Sequence, residues 1–200
     1  LHEALAEAPA GSTLLLSEGE WDLTGPLVLL SAVTIEGKGV GVTILNSRAP
    51  EAAVLVATAE PVAVQSLTLA RDTAVPGSGV VAGGAATLVL DQLEITGGRP
   101  DDTGGGAGVM LVGEDLATDR RTSMEATDVV FRDNGWAGLA VAGTHRVSVT
   151  GATFTGNGEC GLCFLGESDG SVTGATFDGN RVGVAVAESS RPTLLDRTID

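Results

Sequence analysis

Along most of the chain, hydrophobic and polar residues alternate over short runs before glycine, asparagine, serine or threonine breaks the pattern. Val147 and Val149, then Ala152 and Phe154, then Leu162 and Phe164 are typical: an apolar period of two, repeatedly interrupted. A period of two is the mark of a strand with one buried face, and the breaks are turn chemistry. One unit therefore reads strand, bend, strand, turn, strand, turn.

The unit repeats. Phe131, Phe154 and Phe177 recur every 23 residues, Asn134, Asn157 and Asn180 keep the same interval, and Gly138, Gly161 and Gly183 nearly do. A helical solenoid needs two helices per repeat, which so short a glycine-rich unit cannot supply, because glycine costs up to about 1 kcal/mol per helical position. A coil of three short strands fits. Stacked coils pair each strand in parallel with its equivalents about 4.8 Å away and bury one face of each in a common core. The spacing predicts one interior file of Leu69, Ile95, Phe131, Phe154, Phe177 and Ile199, and another of Leu67, Leu93, Val129, Ala152 and Ala175. Asn134, Asn157 and Asn180 fall at a turn, where asparagine tolerates the left-handed conformation, and are expected to form a structural ladder of amides.

Upstream the register persists with insertions in the turns. Val62–Leu69, Leu88–Ile95 and Met124–Phe131 read as equivalent strand pairs, and 13–16, 27–30, 33–35, 42–45 and 53–56 as further strands. Leu1, Leu5 and Ala8, ended by Pro9, predict a short amphipathic helix covering one end of the stack, where core and unpaired backbone would otherwise be exposed. The other end shows no such cap. The expectation is a single all-β domain over 1–200, excerpted from a longer chain.

Composition narrows the partners. Glycine makes up 29 of 200 residues, about twice its usual share, which agrees with a turn-rich solenoid. Eleven basic residues against 26 acidic ones give a net charge of −15, and Lys38 is the sole lysine. No positive stripe is available for phosphates or lipid headgroups, so nucleic acid and membrane insertion are not expected.

The opening Leu-His-Glu-Ala-Leu, the Ala-Gly-Ser-Thr-Leu-Leu-Leu at 10–16, the Val-Thr-Ile-Glu-Gly-Lys-Gly run at 33–39, and the repeats containing Asn-Gly-Trp-Ala-Gly-Leu and Asn-Gly-Glu-Cys-Gly-Leu resemble the right-handed parallel β-helix proteins of the pectin-lyase-like superfamily. The resemblance spans essentially the whole chain. It implies a right-handed parallel β-helix and an extracellular, cell-surface or periplasmic location. Members include pectate lyases, polygalacturonases, polysaccharide epimerases, phage tailspikes and surface proteins without assigned activity, so function must be argued from the site.

Of the polygalacturonase-like motifs, Asn-Thr-Asp, Asp-Asp, His-Gly and Arg-Ile-Lys, only Asp101-Asp102 is matched, within a glycine-rich loop that suggests mobility. A uronate lyase must neutralise a carboxylate, often with calcium, and supply a base. The pectate lyase sequence Trp-Ile-Asp-His is absent; Arg120, Arg121, His145 and Arg146 remain, with Arg121, His145 and Arg146 the catalytic candidates and His145 read as a solvated turn residue. The two longest turns, 96–106 and 113–122, flank one strand and place Asp101, Asp102, Glu114, Asp115 and Asp119 around it, with Asp72 in the preceding coil's loop. This rim, with Met110, is the candidate substrate-binding site, and Asp101 and Asp102 are the candidate calcium ligands.

Beside the rim, Met110, Ala140, Cys163 and Ala185 form an outward file, and Thr68, Thr153, Thr176 and Thr198 another, without the matched companion file that ice binding requires. Cys160 and Cys163 have a redox or zinc spacing. Strand alternation, however, places Cys160 inward beside Ala137 and Val182 and Cys163 outward, so two separate thiols are expected. Two functions follow: a noncatalytic module that binds polysaccharide or packs against other domains of its own chain, without an obligatory cofactor; or a polysaccharide-active enzyme, a uronate lyase ahead of a glycoside hydrolase or epimerase, working in a groove beside residues 96–122.

Overall fold

A computed structural model describes the chain except for Thr103, residues 114–120 and Asp200. The strands stack in parallel into two curved sheets of 14 and seven strands. In a late coil, Arg146–Thr150 bends at Gly151 into Thr153–Thr155, and a turn leads to Cys160–Gly166, the only one of the three in the smaller sheet. In earlier coils the first two strands merge, as in Pro61–Arg71 and Thr87–Thr96. One left-handed residue per coil marks the bend: Ser66, Gln92, Asp128, Gly151, Gly174 and Asp196.

The interior files lie where the alternation places them except at Ile199, which stays in register but is exposed on the last described coil. Leu69 pairs with Ile95, Ile95 with Phe131, and the register continues through Phe154 and Phe177 to Ile199. The three phenylalanine rings stack with centroids 4.8 Å apart and planes within 7°. The glycine column belongs to this stack: a Cβ on Gly138 would lie 2.8 Å from a Phe154 ring carbon and 2.6 Å from the Gly161 carbonyl oxygen. A continuous apolar core runs from Leu16 to Phe177.

The helix forms over His2–Glu7, with Leu1 and Leu5 packed on the core. It is far too short to cross a membrane, and no helix among the described residues is long and apolar enough to do so. Two strands that the alternation did not announce, Gly19–Leu23 and Gly77–Ala82, complete their coils. Neighbouring coils impose their pairing: Gly19–Leu23 registers with Thr43–Ser47, and Gly77–Ala82 with Glu51–Val56.

The asparagine ladder exists, with one correction. Asn134, Asn157 and Asn180 do not take the left-handed conformation; the preceding residues Asp133, Gly156 and Gly179 do, at φ 54°, 63° and 62°. That turns the amide into the coil, where Asn134 and Asn157 are buried. Each side-chain amide donates to a main-chain carbonyl, Asn134 to Ile95, Asn157 to Phe131 and Asn180 to Phe154, and Asn134 and Asn157 also donate to the next asparagine along the stack.

Candidate functional site

The outer face of the seven-stranded sheet carries one apolar file along its whole length. Val28, Leu55, Val81, Met110, Ala140, Cys163 and Ala185 are in direct register, which extends the expected file by three coils. Where this file passes Val81 and Met110, a groove of about 460 Å³ opens between loops, with Glu51, Ser78 and Asp101 on its walls. The structure thus brings Asp101 and Met110 together. Asp102 is exposed beside them, and Glu114, Asp115 and Asp119 lie outside the described residues.

The loop holding Asp101 is tied down, contrary to the mobility its glycines suggest. Arg99 exchanges backbone hydrogen bonds with Gly77, and its guanidinium donates to the carbonyls of Thr73 and Ala74 at 3.0 Å. Gly98 N–H donates to Asn134 Oδ1, which anchors the loop to the ladder. The rigid scaffold therefore reaches the groove wall.

Asp72 belongs elsewhere. It pairs with Arg48 at 3.0 Å and lines a separate groove of about 450 Å³ with Glu20, Asp22 and Asn46. The Ala74 N–H bonded to its carboxylate, followed by Arg48, holds its pKa below the usual value. Among the described residues, no three His, Cys, Asp or Glu side chains converge as a metal site. Asp101 and Asp102 together supply at most four of the six to eight oxygens that calcium takes.

The basic candidates lie away from the groove. Arg146 forks onto Asp169, Nε to Oδ1 at 2.7 Å and Nη2 to Oδ2 at 3.1 Å, and Arg121 reaches Oδ2 at 3.4 Å. The Arg146 hydrogen bonds are the main reason that the Asp169 pKa is lowered, with burial opposing. His145 is not a solvated turn residue: it is 3% exposed, and its carbonyl accepts from Asp169 N–H. Arg121 and Arg146 are thus brought together, but at the edge of the larger sheet rather than beside Asp101.

Cys160 and Cys163 form a disulfide instead of two thiols on opposite faces. Regular alternation would put residues 160 and 162 on one face, yet Leu162 lies in the main core and Cys160 in a small outer cluster with Ala137, Ala140 and Cys163. The strand turns over at Gly161, as its neighbour does at Gly138. The Cα atoms are 6.0 Å apart, against roughly 10 Å for three extended steps.

Sequence reasoning missed Arg71, an inward residue at the end of its strand. It is 5% exposed and donates to the carbonyls of Ala49 and Pro76, and burial lowers its pKa. The alternation through Leu67 and Leu69 continues to Arg71 and was the signal that could have found it.

Comparison with known proteins bears on the fold. The family described as right handed beta helix region matches residues 107–200, the part that carries the regular repeat. The fold is a right-handed parallel β-helix. The β-helix is similar in fold to ORF18 of Geobacillus virus E2, at TM-score 0.76 and 10% identity over 98% of this chain and 44% of that one. It is also similar to the Azotobacter vinelandii mannuronan C-5 epimerase AlgE4 A-module, at TM-score 0.55 and 17% identity over 98% and 70%. A third similar structure is the PL6 family alginate lyase AlyGC, at TM-score 0.53 and 11% identity over 99% and 38%. The β-helix spans less than half of the viral protein and of the lyase. No curated protein matches it by sequence.

Proposed function

We propose that the β-helix is a noncatalytic module, extracellular or surface-attached, that binds polysaccharide in the groove over Val81 and Met110. One observation carries this reading. The described residues lining the groove include Glu51, Asp101 and Ser78 but no lysine, arginine or histidine, so they offer hydrogen bonds without a cation to neutralise a uronate. That favours a polymer with neutral sugars at this position and disfavours a lyase centred there. Fold-level similarity to an alginate epimerase and an alginate lyase supports a polysaccharide partner. The disulfide supports an oxidising compartment outside the cytoplasm. Binding needs no cofactor in this reading.

The test incubates the protein with neutral and acidic polysaccharides, with calcium or with chelator, and follows binding, ultraviolet absorbance of unsaturated products and reducing-end release. Binding of a neutral polymer, weakened about tenfold by Met110→Arg and without product, is the expected result. A rise in absorbance or in reducing ends overturns the noncatalytic reading. Calcium-dependent binding that Asp101→Asn with Asp102→Asn abolishes would restore a metal to the rim.

A further inference from the structure

Three arginines meet at one edge of the larger sheet in a protein that is strongly acidic overall. Arg146, Asp169 and Arg191 occupy one file on successive coils, and Arg121 reaches the same aspartate. Among the described residues Asp169 is the carboxylate that these arginines contact, and both its oxygens are already engaged by Arg146 and Arg121. Among the described residues no carboxylate pairs with the Arg191 guanidinium, and Arg146 Nη1 makes no hydrogen bond.

These groups open onto a groove. It measures about 370 Å³, has Arg146 and Arg191 at its margin, and is lined in the adjacent file by Ser148, Ser171 and Thr193. The three hydroxyl residues are in direct register, so they repeat along the solenoid axis at the coil spacing of about 4.8 Å. Three guanidinium groups stand against Asp169 and against Glu125, which continues the hydroxyl file one coil beyond Ser148, so the described charges here remain net positive. In the neighbouring file Ser148, Ser171 and Thr193 supply neutral donors and acceptors suited to sugar hydroxyls.

We propose that this groove, distinct from the one over Met110, binds the oxyanion of an acidic glycan, a sulfate ester or a carboxylate, through Arg191 and Arg146, with Ser171 and Thr193 bonding the sugar that carries it. Arginine suits the task because its planar fork meets an oxyanion with two parallel hydrogen bonds. Asp169 acts as a positioning residue that fixes Arg146 and Arg121. A polyphosphate is disfavoured, since the net charge of −15 repels an extended polyanion beyond the short basic segment.

The experiment measures binding of dextran sulfate, polygalacturonate and unmodified dextran at low salt, with inorganic sulfate as competitor. Wild-type protein is expected to bind one or both charged polymers more tightly than dextran, and the ratio between them identifies sulfate or carboxylate. Arg191→Gln should weaken that binding about tenfold, the loss of one charge-assisted contact, whereas Arg181→Gln, which breaks an exposed pair with Glu159, should leave it unchanged. Equal losses in the two variants, or none in either, overturn the site. Polyglutamate bound as tightly as the charged glycans overturns the glycan assignment.

Discussion

Asn157 Oδ1 accepts two hydrogen bonds from Asn134, one from its backbone N–H at 3.2 Å and one from its side-chain amide at 3.0 Å. The Asn157 side chain in turn donates to Phe131 O and to Asn180 Oδ1. It thus bonds groups on the coils both above and below.

Asn157→Ala should therefore cost at least about 2 kcal/mol, and Asn157→Asp more at neutral pH, because a carboxylate cannot donate to Phe131 O or Asn180 Oδ1. Asn46→Ala, which removes one exposed bond to Glu20, should stay within about 0.5 kcal/mol. Urea unfolding midpoints decide the matter: similar shifts for Asn157→Ala and Asn46→Ala would show that the ladder adds nothing.

Phe154 is enclosed between Phe131 and Phe177 with a fully buried ring. Phe154→Ala should cost about 3–5 kcal/mol, since stacked neighbours on both sides cannot both collapse into the space. Thr153→Ala on the outer face should cost little. If the two substitutions shift the unfolding midpoint alike, the ring stack does not hold the coils together.

These two predictions rest on features that were open to sequence reading, and the reason is physical. A solenoid repeats each environment at a fixed interval, so the phenylalanine, asparagine and glycine columns announce buried positions without knowledge of distant contacts. What escaped reading depends on departures from regularity or on other coils. The disulfide arises because Gly161 breaks the alternation, and nothing in the residues around His145 marks it as buried. The grouping of Arg121, Arg146 and Arg191 about Asp169 needs the exact register of coils separated by an irregular insertion. The placement of Asp101 with Met110 was legible because Asp101 lies in the loop that leads into Val109–Leu111, the strand that carries Met110.

The disulfide makes a chemical prediction. Alkylation of the unfolded, unreduced protein should leave Cys160 and Cys163 unlabelled, and labelling of both should follow reduction. A loop this short constrains the unfolded chain weakly, so reduction should lower stability by no more than about 2 kcal/mol. Labelling before reduction would show two free thiols. A much larger loss of stability would mean that the bridge also fixes the turn-over of the strand at Gly161.

Asp169 should give the stack an acid-sensitive contact. Hydrogen bonding from Arg146 lowers its folded-state pKa, with the charges of Arg146 and Arg121 adding to the shift and partial burial opposing it. A carboxylate with a depressed folded pKa stabilises the fold fully above its unfolded value, about 3.9, and loses that contribution as pH falls from there through the folded value. Asp169→Asn removes the charge, so the stability gap between wild type and variant should be constant from neutral pH down to about 4 and then close progressively. The check is a series of urea midpoints for the two proteins across that range. A gap that stays constant below about pH 3 would assign the difference to packing or to a neutral hydrogen bond, and would remove Asp169 as the charge that positions Arg146 and Arg121.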